Sequence, residues 1–167
     1  MNVLAIDPGN VMSGYALIDE EYRPLKFGKI ENEILEQMLL NNDLGLCEDD
    51  VVVIENLMSY GMPVGRTVLD TAVWIGRFTE ICLLCRKQVP AYIFRKEYVT
   101  ELCGSARAKD SNVTAYLIER FAPDTPNHGK GSVKAKGFFW GFKADIWAAY
   151  AQAIYFLDII KGNKAHM

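Results

Sequence analysis

The first eighteen residues, MNVLAIDPGNVMSGYALI, constrain this chain more than any other stretch. An apolar run, Val3 to Ile6, ends in the lone carboxylate of Asp7. Pro8-Gly9 then imposes a turn, and a second apolar run starts at Gly14-Tyr15. Short apolar runs bounded by turn residues read as buried strands, and Asp-Pro-Gly is strong turn chemistry. The stretch is therefore a hairpin with an acid where its first strand meets the turn. An unpaired carboxylate on a buried strand is costly. Asp7 either faces a cation, sits at the sheet edge, or only stabilises its own turn as an Asx residue.

The same arrangement recurs at Val51-Val52-Val53-Ile54, a run suited to burial on both faces, which ends in Glu55-Asn56. Around these two strands the chain reads as α/β. Residues 25–31 are expected to form a half-buried third strand. A helix capped by Asn32 should run to about Leu40, with Glu33 and Glu36 in its first turns. Glu48-Asp49-Asp50 reads as a solvated acidic loop. Helical spacing extends from Thr67 to Arg86, a short strand from Val89 to Phe94, and further helices over 95–101, 111–121 and 143–160. Residues 1–161 are expected to form one domain and 162–167 a frayed tail.

With 167 residues, half of them hydrophobic, the chain is long enough for a sizeable core. No apolar run reaches the ~18 residues of a membrane span, and no basic leader precedes the first strand. Cys47, Cys82, Cys85 and Cys103 lie in apolar contexts, as expected of reduced thiols in the cytoplasm, and Cys82-Leu-Leu-Cys85 lacks a second ligand pair for zinc. The only histidines, His128 and His166, are too few for a histidine-rich metal site.

Charge is segregated. Residues 1–85 hold 5 Lys/Arg against 14 Asp/Glu, whereas residues 86–143 hold 11 against 5. A solvated face would account for that, and so would a polyanionic partner. Arg107 and Lys109 precede the 111–121 helix, where free backbone N–H groups and basic side chains suit phosphate. Lys130, Lys134 and Lys136, interleaved with Phe138-Phe139-Trp140, and Lys143 beyond them suit tracking of a nucleic-acid backbone with base stacking. At least one of those aromatics should instead pack on the core. Met58, Tyr60 and Met62 lie in a loop just past Glu55, a favoured place for substrate contacts.

A third acid, Asp145, is expected in the first turn of the last helix, where the helix dipole favours it. Three converging carboxylates, Asp7, Glu55 and Asp145, would repel one another unless divalent cations neutralise them. Hard oxygen donors suit Mg²⁺ or Mn²⁺, and such ions support phosphodiester cleavage.

Ala5-Ile6-Asp7-Pro8-Gly9 with Ser13-Gly14-Tyr15-Ala16 resembles the opening of the RuvC Holliday-junction resolvases. Val53-Ile54-Glu55-Asn56 resembles their second acidic strand end, and Leu102 through Asp110 their basic segment before a helix. Gly129-Lys130-Gly131 through Ala144-Asp145-Ile146-Trp147-Ala148-Ala149 looks like the phage-encoded branch. The resemblance implies an RNase H-like mixed β-sheet flanked by α-helices. It implies Asp7, Glu55 and Asp145 as catalytic metal ligands, Arg107 and Lys109 on DNA phosphates, and a homodimer that nicks four-way junctions. Products would carry 5′-phosphate and 3′-hydroxyl ends.

Two departures stand out. The further carboxylate that cellular members carry one turn before the last acid is Phe142 here. The aromatic they place after the second acid is Met58, for which Tyr60 could substitute at the junction centre. The Thr67–Arg86 helix, apolar on more than one face, is the expected dimer contact, with Trp74 and Ile75 in it. A broader nuclease for forks and flaps and a metal-free junction-binding protein are the rival readings. An actin-like nucleotide-binding fold would need a second subdomain for which the chain has no room.

Overall fold

The computed structural model describes residues 1–58, 61 and 63–162. Five strands form one sheet: β1 (Val3–Asp7), β2 (Met12–Ile18), β3 (Pro24–Glu31), β4 (Val51–Asn56) and β5 (Ala91–Phe94). Their order across the sheet is β3-β2-β1-β4-β5. The first three are joined antiparallel, as two successive hairpins dictate, whereas β4 and β5 pair parallel to their neighbours. Helices α1 (Asn32–Leu40) and α2 (Arg66–Arg86) precede and follow β4; α3 (Arg95–Cys103), α4 (Asp110–Phe121) and α5 (Ile146–Lys161) follow β5.

The period-2 alternation of the strands divides the core into two layers. Leu4, Ile6, Leu17, Val52 and Ile54 face α1 and α2 and pack with Leu35, Trp74, Ile75 and Phe78. Val3, Ala5, Ala16, Ile18 and Val53 face the other way, onto α3, α4 and α5. The unbroken apolar run of β4 is thus explained by burial on both faces. On the second face the alanines of α5 (Ala149, Ala151 and Ala153, all fully buried) let its backbone lie close against the sheet.

Several local expectations change in the folded chain. Asn32 begins α1, but its side chain does not cap the helix. It is buried, accepts a hydrogen bond from Ser13 Oγ at 2.6 Å and donates to the Gly9 carbonyl at 2.9 Å, clamping the turn after β1. That turn is tight enough that a Cβ on Gly9 would lie 2.2 Å from the Met12 carbonyl oxygen. Asp50 is not solvated: it is buried and accepts hydrogen bonds from the Asn2 backbone (2.6 Å) and the Cys47 backbone (2.9 Å), fastening the N-terminus beside β4. Trp74 and Ile75 are buried inside the chain and are not a dimer contact, because the face of α2 that carries them covers the sheet. The large exposed apolar residues of α2 are Val68, Leu69, Val73, Leu83 and Leu84.

Among the described residues no helix is long and apolar enough to cross a membrane. The four cysteines are free thiols.

Candidate metal and nucleic-acid site

The strand registers assemble the site. Asp7 pairs with Gly14 on β2, and Gly14 with Lys29 on β3. On the other side Ile6 pairs with Ile54, so Asp7 and Glu55 are the next rung, and Glu55 pairs with Ile93. Cross-strand partners share a face. Lys29, Gly14, Asp7 and Glu55 therefore form one row on the α5 side of the sheet, at the carboxyl ends of the parallel strands β1 and β4. Outside such strand ends is where open α/β sheets bind their ligands.

Asp145 reaches this row from above. The last helix starts later than expected, at Ile146, so Asp145 is its N-cap residue rather than part of its first turn, with helical φ −68° and ψ −8° and no side-chain capping bond. It is pressed onto β2: a Cβ on Gly14 would lie 2.7 Å from the Asp145 carbonyl oxygen and 2.9 Å from its Cβ. A glycine at position 14 is what lets the third acid approach the sheet.

The three carboxylates differ in their surroundings. Asp7 accepts no hydrogen bond and joins no ion pair among the described residues. Burial pushes it well above the ordinary carboxylate range, the charges of Glu55 and Asp145 push further, and Arg95 opposes them. Burial also pushes Glu55 up, to about 7, against the pull of Arg95 and a hydrogen bond from Tyr98. Both protein donors to Glu55 converge on one oxygen: Gln152 Nε2 at 2.7 Å and Tyr98 OH at 3.3 Å reach Oε2. Arg95 in turn donates to Tyr98 OH at 3.0 Å and to the Asp110 carboxylate. The side-chain carbonyl of Gln152 is buried without a partner among the described residues. Asp145 is held by Lys29, with Nζ 2.6 Å from Oδ2.

Asp7 and Asp145 line a cleft of about 310 Å³ together with Arg95, Asp110, Ser111 and Thr114; Glu55 stands beside Asp7 but does not line it. The donor chemistry fits a hard divalent cation: three carboxylates, of which Asp7 has no partner among the described residues and is disfavoured as an anion by burial and by the other two. The cluster is not closed as it stands. Among the described residues no three histidine, cysteine or acidic side chains lie close enough to hold a metal ion. Phe142, in place of a fourth acid, adds no donor. It is buried against Phe27 (4.6 Å between ring centres), Phe139 (5.0 Å) and Trp147 (5.0 Å).

The basic residues are distributed around this centre. Arg107 and Lys109 are exposed just before α4, whose first turn contributes Asp110 and Ser111 to the cleft, and Lys109 is its N-cap residue. Lys130, Lys134 and Lys136 lie in the connection that leads into Asp145, pinned by a Gly131–Lys136 bridge, and exposed Lys143 lies two residues before Asp145. Of the three aromatics there, Phe139 is fully buried, Phe138 stacks on Phe121 (5.5 Å, 7° between planes), and Trp140 takes the Lys136 ammonium over its ring at 5.5 Å. Met58 is exposed; Tyr60 and Met62 lie outside the described residues.

Sequence reasoning missed Lys29, Arg95, Tyr98 and Gln152. Lys29 could have been found by counting register through two hairpins from Asp7. The other three depend on how helices dock and left no local signal.

No protein-family model matches the chain, and no curated protein does. Two solved structures are similar in fold. T. thermophilus RuvC in complex with a Holliday junction substrate superposes with a TM-score of 0.69 at 14% identity, over 98% of this chain and 97% of that one. A Thermus thermophilus RuvC structure gives 0.65, also at 14% identity, over 98% of each chain. At this identity the likeness is one of fold. The chain has a RuvC-like, RNase H-like architecture: a mixed five-stranded sheet flanked by helices.

Proposed function

We propose that this chain is a Mg²⁺-dependent endonuclease, with Mn²⁺ able to substitute, that resolves four-way DNA junctions by paired nicks. The observation that carries the reading is the Asp7 carboxylate, without a partner among the described residues, in one row with Glu55, in one cleft with Asp145, and raised by burial and then by the charge of both. A half-buried acid left without a partner among the described residues, beside two others, is expensive unless a cation joins it.

Asp7, Glu55 and Asp145 would hold the ion, which when bound would supply an activated water and stabilise the leaving 3′ oxygen. Tyr98 and Gln152, both on Glu55 Oε2, fix that carboxylate and leave its other oxygen for a ligand. Arg107 and Lys109 would take phosphates beside the cleft. Lys130, Lys134, Lys136 and Lys143 would follow the backbone of an approaching arm, with Met58 and Tyr60 near the branch point. Two strands of a junction are cut symmetrically most simply by a two-fold dimer. The exposed stripe Leu69, Val73 and Leu84 on α2 offers a contact for it. The fold likeness to RuvC supports branched DNA as the substrate class, since the T. thermophilus protein is seen with a Holliday junction.

Cleavage of labelled immobile junction, fork, flap and plain duplex, with Mg²⁺ or EDTA and with Asp7→Asn alongside, tests this reading. Metal-dependent paired nicks in the junction, lost in Asp7→Asn, are expected. Equal cutting of forks and flaps would shift the assignment to a general branched-DNA nuclease. Tight junction binding with no cleavage under any metal would refute the enzyme and leave a structure-selective binding protein.

A further inference from the structure

We infer that Lys29 is a tethered cation that competes with the divalent ion for Asp145, so that metal enters the site by displacing its ammonium. The inference rests on the metal-site reading above. Lys29 lies in the same row as Asp7 and on the same face, two strands away, and between them stands Gly14, which has no side chain. Asp145 rests on that glycine. Its carboxylate thus lies above the strand between Lys29 and Asp7, with an ammonium on one flank and, on the other, an acid without a partner among the described residues. It is paired with the ammonium, at 2.6 Å.

This pairing accounts for the open cluster. Asp7 and Glu55 are neighbours on adjacent strands, but the third acid is engaged elsewhere, and no three ligating side chains among the described residues come close enough to hold an ion. The position one turn before Asp145 cannot compensate, because Phe142 is locked in the aromatic core. Lys29 therefore balances the charge of Asp145 until a metal ion binds, at the cost of withholding a ligand. The pair is partly exposed, its side chains 30% and 40% accessible, so the ammonium is displaceable rather than fixed.

Mn²⁺ titration by isothermal calorimetry on the full chain tests this, comparing wild type, Lys29→Met, Lys29→Arg, Asp145→Asn and the Lys29→Met/Asp145→Asn pair. Unfolding in EDTA verifies that each variant is folded. Lys29→Met should bind Mn²⁺ about fivefold tighter than wild type, the factor expected for a partly exposed ion pair. Lys29→Arg, which keeps a competing cation, should stay near wild type. In the Asp145→Asn background Lys29→Met should change nothing, since no carboxylate remains to compete for. Mn²⁺ binding by Lys29→Met that equals or falls below that of wild type overturns the inference and leaves the metal site standing. Absence of Mn²⁺ binding in both overturns the metal site as well.

Discussion

Glu55→Gln in metal-free buffer is a direct test of the electrostatics of the row. A folded carboxyl raised from its ordinary 4.5 to about 7 binds its proton more tightly than the unfolded chain does. Below about pH 4.5 both states are protonated and the group's favourable contribution to stability is fully present. As pH rises the unfolded chain ionises first, so stability falls, and the loss is complete once the folded group ionises above about 7. The difference amounts to about 3 kcal/mol. In a domain of this size that is roughly 6–12 °C in melting temperature. Glutamine keeps a carbonyl oxygen for Tyr98 and Gln152 and removes the charge. Thermal unfolding followed by circular dichroism in EDTA should therefore show wild type and Glu55→Gln melting together in acid. At about pH 8 the variant should melt higher by that margin. Equal melting temperatures across the whole range, or a less stable variant above neutrality, would refute the argument that burial of this carboxylate outweighs its hydrogen bonds and strains the metal-free protein. Asp7→Asn should move stability in the same direction.

Other perturbations probe separate parts of the structure. Gly14→Ala places a methyl group 2.7 Å from the Asp145 carbonyl oxygen; overpacking of this kind should cost about 1–3 kcal/mol in chemical denaturation, and junction cleavage should fall with it. Trp74→Asp puts a charge among Leu4, Ile6 and Phe78 and should leave little folded protein by circular dichroism. Leu84→Glu, on the exposed face of the same helix, should leave the melting temperature within about 1 °C and lower the mass seen by light scattering. Lys134→Ala and Lys136→Ala should each weaken junction binding at low salt and reduce the slope of log affinity against log salt by about 1; an unchanged slope would remove those lysines from the DNA contact.

The two strand-end acids were legible because each interrupts an unbroken apolar run at the point where the chain turns, a pattern that costs stability unless the acid has a task. The sheet was legible for the same reason: period-2 burial and turn residues are local signals. Asp145 was harder, since an acid near a helix start is ordinary, and the helix expected from Lys143 begins only at Ile146, which leaves Asp145 as its N-cap residue. Asn32 shows how a local rule is overridden. Its propensity as a cap was real, but Ser13 and Gly9 from the facing hairpin claimed its side chain. Trp74 illustrates the limit of helical periodicity, which marked α2 as apolar on several faces without saying which face the sheet would take. The partners of Glu55 come from α3 and α5, 43 and 97 residues away along the chain. Nothing near Glu55 in sequence announces them.

The placement of Asp145 just ahead of the terminal helix has a bearing on when the site comes into being. Asp7, Gly14 and Lys29 are brought together by two short-range hairpins, which form on the microsecond scale and need no distant partner. Glu55 joins only when β4 finds β1 in parallel register, and a slip of one residue there would turn it to the opposite face. Asp145 is held in place only once α5, the last helix in the chain, has docked on the sheet. During synthesis, chain growth presents these pieces in the same order. A nascent or truncated chain ending before Ile146 would hold all five strands and the whole basic segment, yet lack the third acid in place. The candidate site would thus be completed only with the fold, its third acid set in place when the terminal helix docks on the sheet.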